Sequence, residues 1–81
     1  MIHEDDKYND RIIDTEDLIP DDEPVFLIRA QDILSGDIVR EYATRYEGIS
    51  NQLGMDNSEK VKSIRKHSRL MDEWKKKKLA D

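Results

Sequence analysis

The sequence predicts a mainly α-helical protein: an acidic N-terminal arm, one short β-strand at about residues 24–30, and a two-helix hairpin. Three observations support this fold class. Residues 1–24 hold ten acidic and only two basic residues, which is typical of a segment that does not form a core of its own. A short apolar run rich in β-branched residues follows, and two later stretches carry apolar residues at helical spacing. We therefore divide the chain into an acidic, partly disordered arm at residues 1–23 and a small helical domain at residues 24–81.

The predicted strand is the apolar run Val25–Ala30, which follows a proline and precedes two polar residues. A helix is the competing interpretation, because acidic residues followed by proline also make a good helix start. We favour the strand, which would pair either with residues 11–14 of the arm or with the same strand of a second subunit. The arm's apolar pairs, Ile12–Ile13 and Leu18–Ile19, are expected to press onto the core as anchors.

The first helix is expected to begin at Ser35, a good capping residue, with Asp37 favourable in its first turn. Apolar residues then recur at helical spacing and predict a stripe, formed by Ile38, Val39, Tyr42, Ala43 and Tyr46. Gly48 is expected to end this helix. In the loop that follows, Leu53 and Met55 are expected to fold inward.

The second helix is expected to be capped by Asn57 or Ser58, with Glu59 in its first turn. Its apolar side is predicted from the same spacing and consists of Val61, Ile64, Ser68, Met71 and Trp74. Nine basic and four acidic residues in 57–81 make this end of the chain positive.

The composition leaves little apolar material for a core. Only 36% of the 81 residues are hydrophobic, 41% are charged, and the chain has no cysteine. A chain this short buries only about 60% of its unfolded surface, and neither a disulfide nor a zinc cluster is available to compensate. We therefore expect a homodimer or higher oligomer, or a chain that folds onto a protein partner.

The sequence favours a cytoplasmic protein without membrane contact. Its first residues are acidic, whereas a signal peptide begins with basic and then apolar residues. The longest apolar run, Val25–Ile28, is far shorter than the ~20 residues of a membrane span. The lack of cysteine fits a reducing compartment.

The residue types do not favour an enzyme. Without cysteine, nucleophilic catalysis would need a serine beside a histidine, but Ser63 and Ser68 lie on the same predicted helix as His67, in no relay arrangement. The acidic runs Glu4–Asp6 and Asp21–Glu23 do not have the spacing of a calcium loop. We therefore expect no catalytic residues, no cofactor and no metal site.

Binding to another protein is the favoured function. The candidate partner-binding residues are the acidic and aromatic ones, Asp21, Asp22, Glu23, Tyr42, Tyr46 and Trp74. The first alternative is a site that binds or sequesters a phosphate-bearing ligand or nucleotide at a helix start flanked by guanidinium groups, formed by Arg29, Gln31, Asp32, Ser35 and Arg40. The second alternative is nucleic-acid binding by a basic patch on the C-terminal helix, formed by Lys75, Lys76, Lys77 and Lys78.

Two segments carry a resemblance to a group of known proteins. The run DEPVFLIRAQDIL at residues 22–34 and the helical segment IVREYA at residues 38–43 resemble a pattern in small, mostly uncharacterised bacteriophage accessory proteins, as do the later Val61, Met71 and Trp74. The resemblance covers residues 22–74, and the chain has Gly36 where those proteins often have proline. It implies a non-enzymatic phage protein that acts in the host cytoplasm on a host or phage protein, as an inhibitor of a host defence.

Overall fold

The computed structural model describes residues 1–79. Strand β1 is Ile2–His3, a single 3₁₀ turn covers Asp6–Tyr8, and strand β2 is Pro24–Val25. Helix α1 is Ser35–Gln52 and helix α2 is Ser58–Glu73. The two helices pack against each other as a hairpin, which confirms the predicted mainly α fold class. In the described residues, no helix combines the length and apolar character that a membrane span requires.

The start of α1 differs from the prediction that Ser35 caps it. Ser35 is the first helical residue and is fully buried, and its hydroxyl donates to the carbonyl of Ala30 at 3.4 Å. The residue at the capping position is Leu34, which contributes no side-chain cap. The carboxylate of Asp32 instead accepts the backbone N–H of Leu34 at 2.8 Å, so the side chain that fixes the turn before the helix lies three positions before Ser35.

The end of α1 also differs, since Gly48 does not end the helix. Gly48 lies on an open side of α1, with no described atom within 4 Å of the place a Cβ would occupy. Glycine inside a helix costs only about 1 kcal/mol relative to alanine, which the packing of the hairpin outweighs. The chain leaves the helix at Gly54, which has the left-handed φ of 68° that glycine adopts without steric cost.

The loop between the helices is tied to α1 by Asn57. Asn57 occupies the N-cap position of α2, as predicted, but its side chain makes no capping hydrogen bond. Its side-chain amide instead donates to Ser50 Oγ and Asn51 Oδ1, both at 2.6 Å. Leu53 and Met55 are exposed and do not fold inward. The loop is therefore held by polar contacts, and its apolar side chains remain at the surface.

The hairpin interface is built from small residues on α1. Gly36, Ala43 and Ser50 are buried and recur every seven residues, the spacing of one packed helix seam. Opposite them, the predicted apolar side of α2 buries Val61 and Met71, together with Ser68, while Ile64 is half-buried. Small side chains let two helices approach closely, so the distance between α1 and α2 is short along this seam.

The close approach is tightest at Gly36. A Cβ placed there would lie 1.8 Å from Asp72 Oδ1 of α2, which is far too close for two atoms that are not bonded to each other. Asp72 is held at this place by Arg40. Glycine at position 36 therefore makes room for an ion pair that links the two helices.

The predicted strand at 24–30 is confined to Pro24–Val25. It pairs in parallel with Ile2–His3, so the prediction of residues 11–14 as its partner was wrong. The pair is short because β1 offers only two residues to bond, and Phe26 beyond it is exposed. The arm is thus closed at its base, where the Ile2 amide also donates to the Glu23 carbonyl at 2.8 Å.

The arm's apolar pairs do not act as anchors. Ile12, Ile13 and Leu18 are exposed, and only Ile19 is half-buried. The residue that the arm buries is His3, which the sequence analysis left without a structural role.

Candidate interaction surfaces

The apolar core of the described residues is very small. The buried hydrophobic side chains are Ala43, Val61 and Met71. Large apolar side chains are mostly exposed instead, among them Ile13, Leu18, Phe26, Ile38, Tyr42, Ile49, Leu53, Met55, Leu70 and Trp74. Isolated apolar residues on a surface are normal, but contiguous ones mark contact sites.

One contiguous set lies along α1 and the loop after it. We name the exposed residues Ile38, Tyr42, Ile49, Leu53 and Met55 the α1 apolar face. Its C-terminal part, with Tyr46, lines a groove of about 400 Å³. The rings of Tyr42 and Tyr46 lie 6.2 Å apart between centroids, within the range of favourable aromatic contact. The two tyrosines predicted to bind a partner therefore lie together, with Tyr42 the more exposed.

The acidic arm presents its carboxylates to solvent. Asp21, Asp22 and Glu23 are all exposed, and within residues 1–79 none of these three forms an ion pair. Lys7 neutralises only Asp5. The candidate partner-binding residues of the arm thus form a negative surface beside strand β2.

Two other arm carboxylates are used to fold the arm. Asp14 accepts the backbone N–H of Ile19 at 2.6 Å, and this hydrogen bond holds the pKa of Asp14 below its usual value. Asp5 accepts the backbone N–H of Lys7 at 3.1 Å, which lowers the pKa of Asp5 in the same way. The arm therefore divides into carboxylates that shape it and carboxylates that face outward.

His3 fastens the arm from inside. Its Nε2 lies 3.0 Å from the carbonyl oxygen of Ile12 and must donate to it, because a carbonyl only accepts. Nδ1 is buried without a hydrogen-bond partner in the described part of the chain. Nothing in the residues around His3 distinguishes it in the sequence, since its partner is a backbone carbonyl nine residues away.

The predicted phosphate site is not assembled. Arg40, at one end of the set, donates to both Asp72 and Asp37, and these two hydrogen bonds raise its pKa above the usual value. Ser35 is fully buried. The backbone N–H of Leu34, in the turn before the helix, already donates to the Asp32 carboxylate. A guanidinium between two carboxylates is poorly placed to bind an anion as well.

The remaining members of that set line a small cavity. Arg29 donates to the Tyr8 hydroxyl at 3.4 Å and, with Gln31 and Asp32, borders a cavity of about 60 Å³. Acidic and basic side chains of the arm share this lining. The volume is far below that of ordinary ligand pockets, which reach 300–1,000 Å³.

The basic patch lies against the turn before α1. The backbone of Lys78 bridges that of Asp32, and Lys77 Nζ donates to the Ala30 carbonyl at 2.6 Å. Lys75 and Lys76 are exposed, as is Lys78. Trp74 ends α2 and is 52% exposed, so it does not extend the buried side of that helix.

The serine and histidine of α2 have different surroundings. Ser68 is buried and donates to the Arg65 carbonyl at 2.6 Å, a bond within its own helix, and His67 is exposed beside it. In residues 1–79, no group of three or more histidine, aspartate or glutamate side chains is arranged to hold a metal ion.

No protein-family model matches this chain, and no curated protein or solved structure is significantly similar to it.

Proposed function

We propose that this chain is a non-enzymatic protein-binding module whose acidic arm attaches to a basic surface of another protein and inhibits it. The observation that carries the proposal is the exposure of large apolar side chains among outward-facing carboxylates on the arm. Leu18 is 75% exposed and Ile13 is 65% exposed. An apolar side chain can fill a pocket of a partner while the carboxylates around it meet basic groups.

Charge supports the same partner chemistry. The arm has a net charge of −8 over residues 1–24, and its consecutive acids Asp21, Asp22 and Glu23 are exposed. A concentrated negative surface steers a positively charged partner and speeds association. An acidic arm can also occupy a groove that otherwise receives nucleic-acid phosphates, which would make binding inhibitory.

The resemblance to bacteriophage accessory proteins supports the identity of the target. It implies that the chain acts in a bacterial cytoplasm on a host or phage protein. Because an acidic arm is suited to a basic groove that handles nucleic acid, inhibition of a host defence protein with such a groove is the version that we propose.

The proposal is tested by capture from bacterial lysate with the wild-type chain and with a charge-neutral variant. The variant carries Asp21→Asn, Asp22→Asn and Glu23→Gln, which removes the outward charge without removing the hydrogen bonds that fold the arm. Mass spectrometry identifies the captured protein, and its purified form is titrated at several salt concentrations. We expect a basic protein whose affinity falls steeply with salt for the wild type and is largely lost in the variant.

A matched control places the same loss of three charges outside the arm. It carries Glu59→Gln and Glu73→Gln on α2 and Asp56→Asn in the turn that precedes it, all at exposed positions. Retention of the partner by the control and its loss by the arm variant would support the proposal. Equal binding by both variants, or a partner without a basic surface, would refute it.

A second candidate function is nucleic-acid binding by the basic patch. It is favoured by the exposure of Trp74 beside Lys75 and Lys76, because an exposed aromatic ring among cations can stack on a base. Trp74 is the only tryptophan of the chain, so its fluorescence reports on this site alone. Quenching by single-stranded RNA or DNA that weakens with salt and disappears in a Lys75→Gln, Lys76→Gln variant would support it. Unchanged fluorescence at low salt would exclude it.

A further inference from the structure

The α1 apolar face has an arrangement that is symmetric along the helix. Tyr42 and Ile49 each lie three and a half residues from the midpoint between Arg45 and Tyr46, and Ile38 and Leu53 each lie seven and a half residues from it. Leu53 directly follows α1 but continues its geometry, since its backbone N–H donates to the Ile49 carbonyl at 3.1 Å. The spacing of these apolar residues is therefore the same when it is counted from either end of the helix.

The four apolar residues also point in one direction. At 3.6 residues per turn, Ile38, Tyr42, Ile49 and Leu53 fall within an arc of about 60° around α1. They extend over about 22 Å of helix. The buried seam that contacts α2 lies on a different side of α1, because Gly36, Ala43 and Ser50 are covered while the apolar face is exposed.

We propose that the α1 apolar face binds a second copy of this chain, in a two-fold symmetric dimer in which the two α1 helices run antiparallel. A two-fold contact requires a surface that is complementary to itself. When the axis passes between Arg45 and Tyr46, Tyr42 of one copy faces Ile49 of the other. Ile38 of one copy then faces Leu53 of the other, so each of these four apolar residues meets an apolar residue.

Charge beside the face is compatible with this contact. The charged residue next to the face at the axis is Arg45, whose guanidinium already donates to Glu41 of the same helix at 2.8 and 3.1 Å. The axis brings Arg45 of one copy beside Arg45 of the other, and each guanidinium is already paired with its own Glu41. Two copies can therefore approach at the axis without an uncompensated repulsion between their arginines.

The area of the face suits a dimer of moderate affinity. The five residues of the face are roughly half exposed, so each still has apolar surface that a second copy can cover. Two copies together would bury on the order of 1,000 Å², which is about the minimum for a specific contact and within the range of weak, transient interfaces. We expect a dimer that dissociates on dilution.

The first test follows the mass of the protein by light scattering and sedimentation from millimolar to low micromolar concentration. The wild type should shift from dimer to monomer over this range. Tyr42→Lys and Ile49→Glu, made singly, should each remain monomeric, because each places a charge against an apolar residue of the other copy. Both positions are exposed, so each variant should keep the helical fold, which circular dichroism would check.

The combined variant distinguishes the proposed geometry from general stickiness. With Tyr42→Lys and Ile49→Glu in one chain, the new charges face each other twice across the axis, and dimerisation should return in a salt-sensitive form. Within one chain the two positions are seven residues apart and do not meet. Failure of the combined variant to dimerise would overturn the antiparallel register.

Cysteine cross-linking locates the axis directly, because the chain has no cysteine of its own. Arg45→Cys should form a disulfide-linked dimer under mild oxidation, since position 45 of both copies lies beside the axis. The control Thr44→Cys is exposed on another side of α1 and should remain a monomer. Equal cross-linking of both, or a wild type that is monomeric at every concentration, would overturn the proposal. The acidic arm is unchanged in all these variants, so this outcome is independent of the proposed function.

Discussion

The narrow seam between the helices makes Ala43→Leu an informative substitution. Ala43 is completely buried in the interface, on the same side of α1 as Gly36 and Ser50. Alanine and leucine have nearly equal helix propensities, so propensity does not decide the result. The outcome depends on whether the two helices leave space for three more carbon atoms.

The two possibilities give opposite signs. If the space existed, three extra buried carbons would stabilise the fold by up to about 2 kcal/mol, at about 0.8 kcal/mol each. In a seam of small residues they must push the helices apart, and overpacking of this kind costs about 1–3 kcal/mol. We expect a loss of about 2–3 kcal/mol, a large part of the roughly 4–12 kcal/mol expected for a domain of this size.

Thermal and urea denaturation followed by helical circular dichroism measure this effect. For a chain of this length the loss corresponds to a decrease in Tm of about 10–20 °C. Thr44→Leu is the matched control, since it makes the neighbouring residue of α1 leucine at an exposed position, and it should leave Tm nearly unchanged. An Ala43→Leu protein as stable as the wild type would show that the helices are not in close contact at Ala43.

Three further predictions concern the core, the loop and the arm. Val61→Ala removes two buried methyl groups and should lower the free energy of unfolding by about 1.5–2.5 kcal/mol in urea titrations; a smaller loss than about 0.5 kcal/mol would contradict the assigned core. Asn57→Asp keeps the size of the side chain but removes the amide that donates to Ser50. We expect it to lower the free energy of unfolding by about 1–2 kcal/mol. In a double-mutant cycle its effect should not add to that of Ser50→Ala. The pKa of Asp14 is lower in the folded chain than its usual value. The hydrogen bond from Ile19 therefore stabilises the arm fully at any pH above the usual carboxyl pKa. This stabilisation is lost as the pH falls through the lowered pKa of Asp14 in the folded chain. The Ile19 amide signal in NMR should therefore titrate below about pH 4, and a signal that titrates identically in Asp14→Asn would refute this origin.

Periodicity predicted the helices well, because the residues that pack one helix on another must recur at helical spacing. Val61, Ser68 and Met71 were assigned to the inner side of α2 on this basis, and all three are buried. On α1 the same reasoning mixed two sides. Ala43 belongs to the seam, whereas Tyr42 belongs to the exposed face, and an 18-residue helix carries an apolar residue on both.

Helix ends and long-range partners could not be predicted in the same way. Glycine is a residue type that often ends a helix, which is why Gly48 is a plausible end for α1. Its conformation, however, depends on the packing of the hairpin, and α1 continues past it. Strand β2 takes its partner from Ile2–His3 at the other end of the arm, and no local pattern marks that pairing. The sequence makes Arg40 a reasonable anion-binding candidate, but in the structure its guanidinium is paired with Asp72 of the second helix.

The parallel pairing of β1 with β2 has a consequence for the order in which the chain folds. The helices are joined by a loop of only five residues between Gln52 and Ser58, so their contacts close quickly at low entropic cost. The strand pair instead closes a loop of about twenty residues for very few hydrogen bonds. The hairpin is therefore the part that nucleates, and the arm joins it in a later step. In the native state the arm also opens more readily than the helices, so hydrogen exchange should release the amides of the arm while those of α2 remain protected.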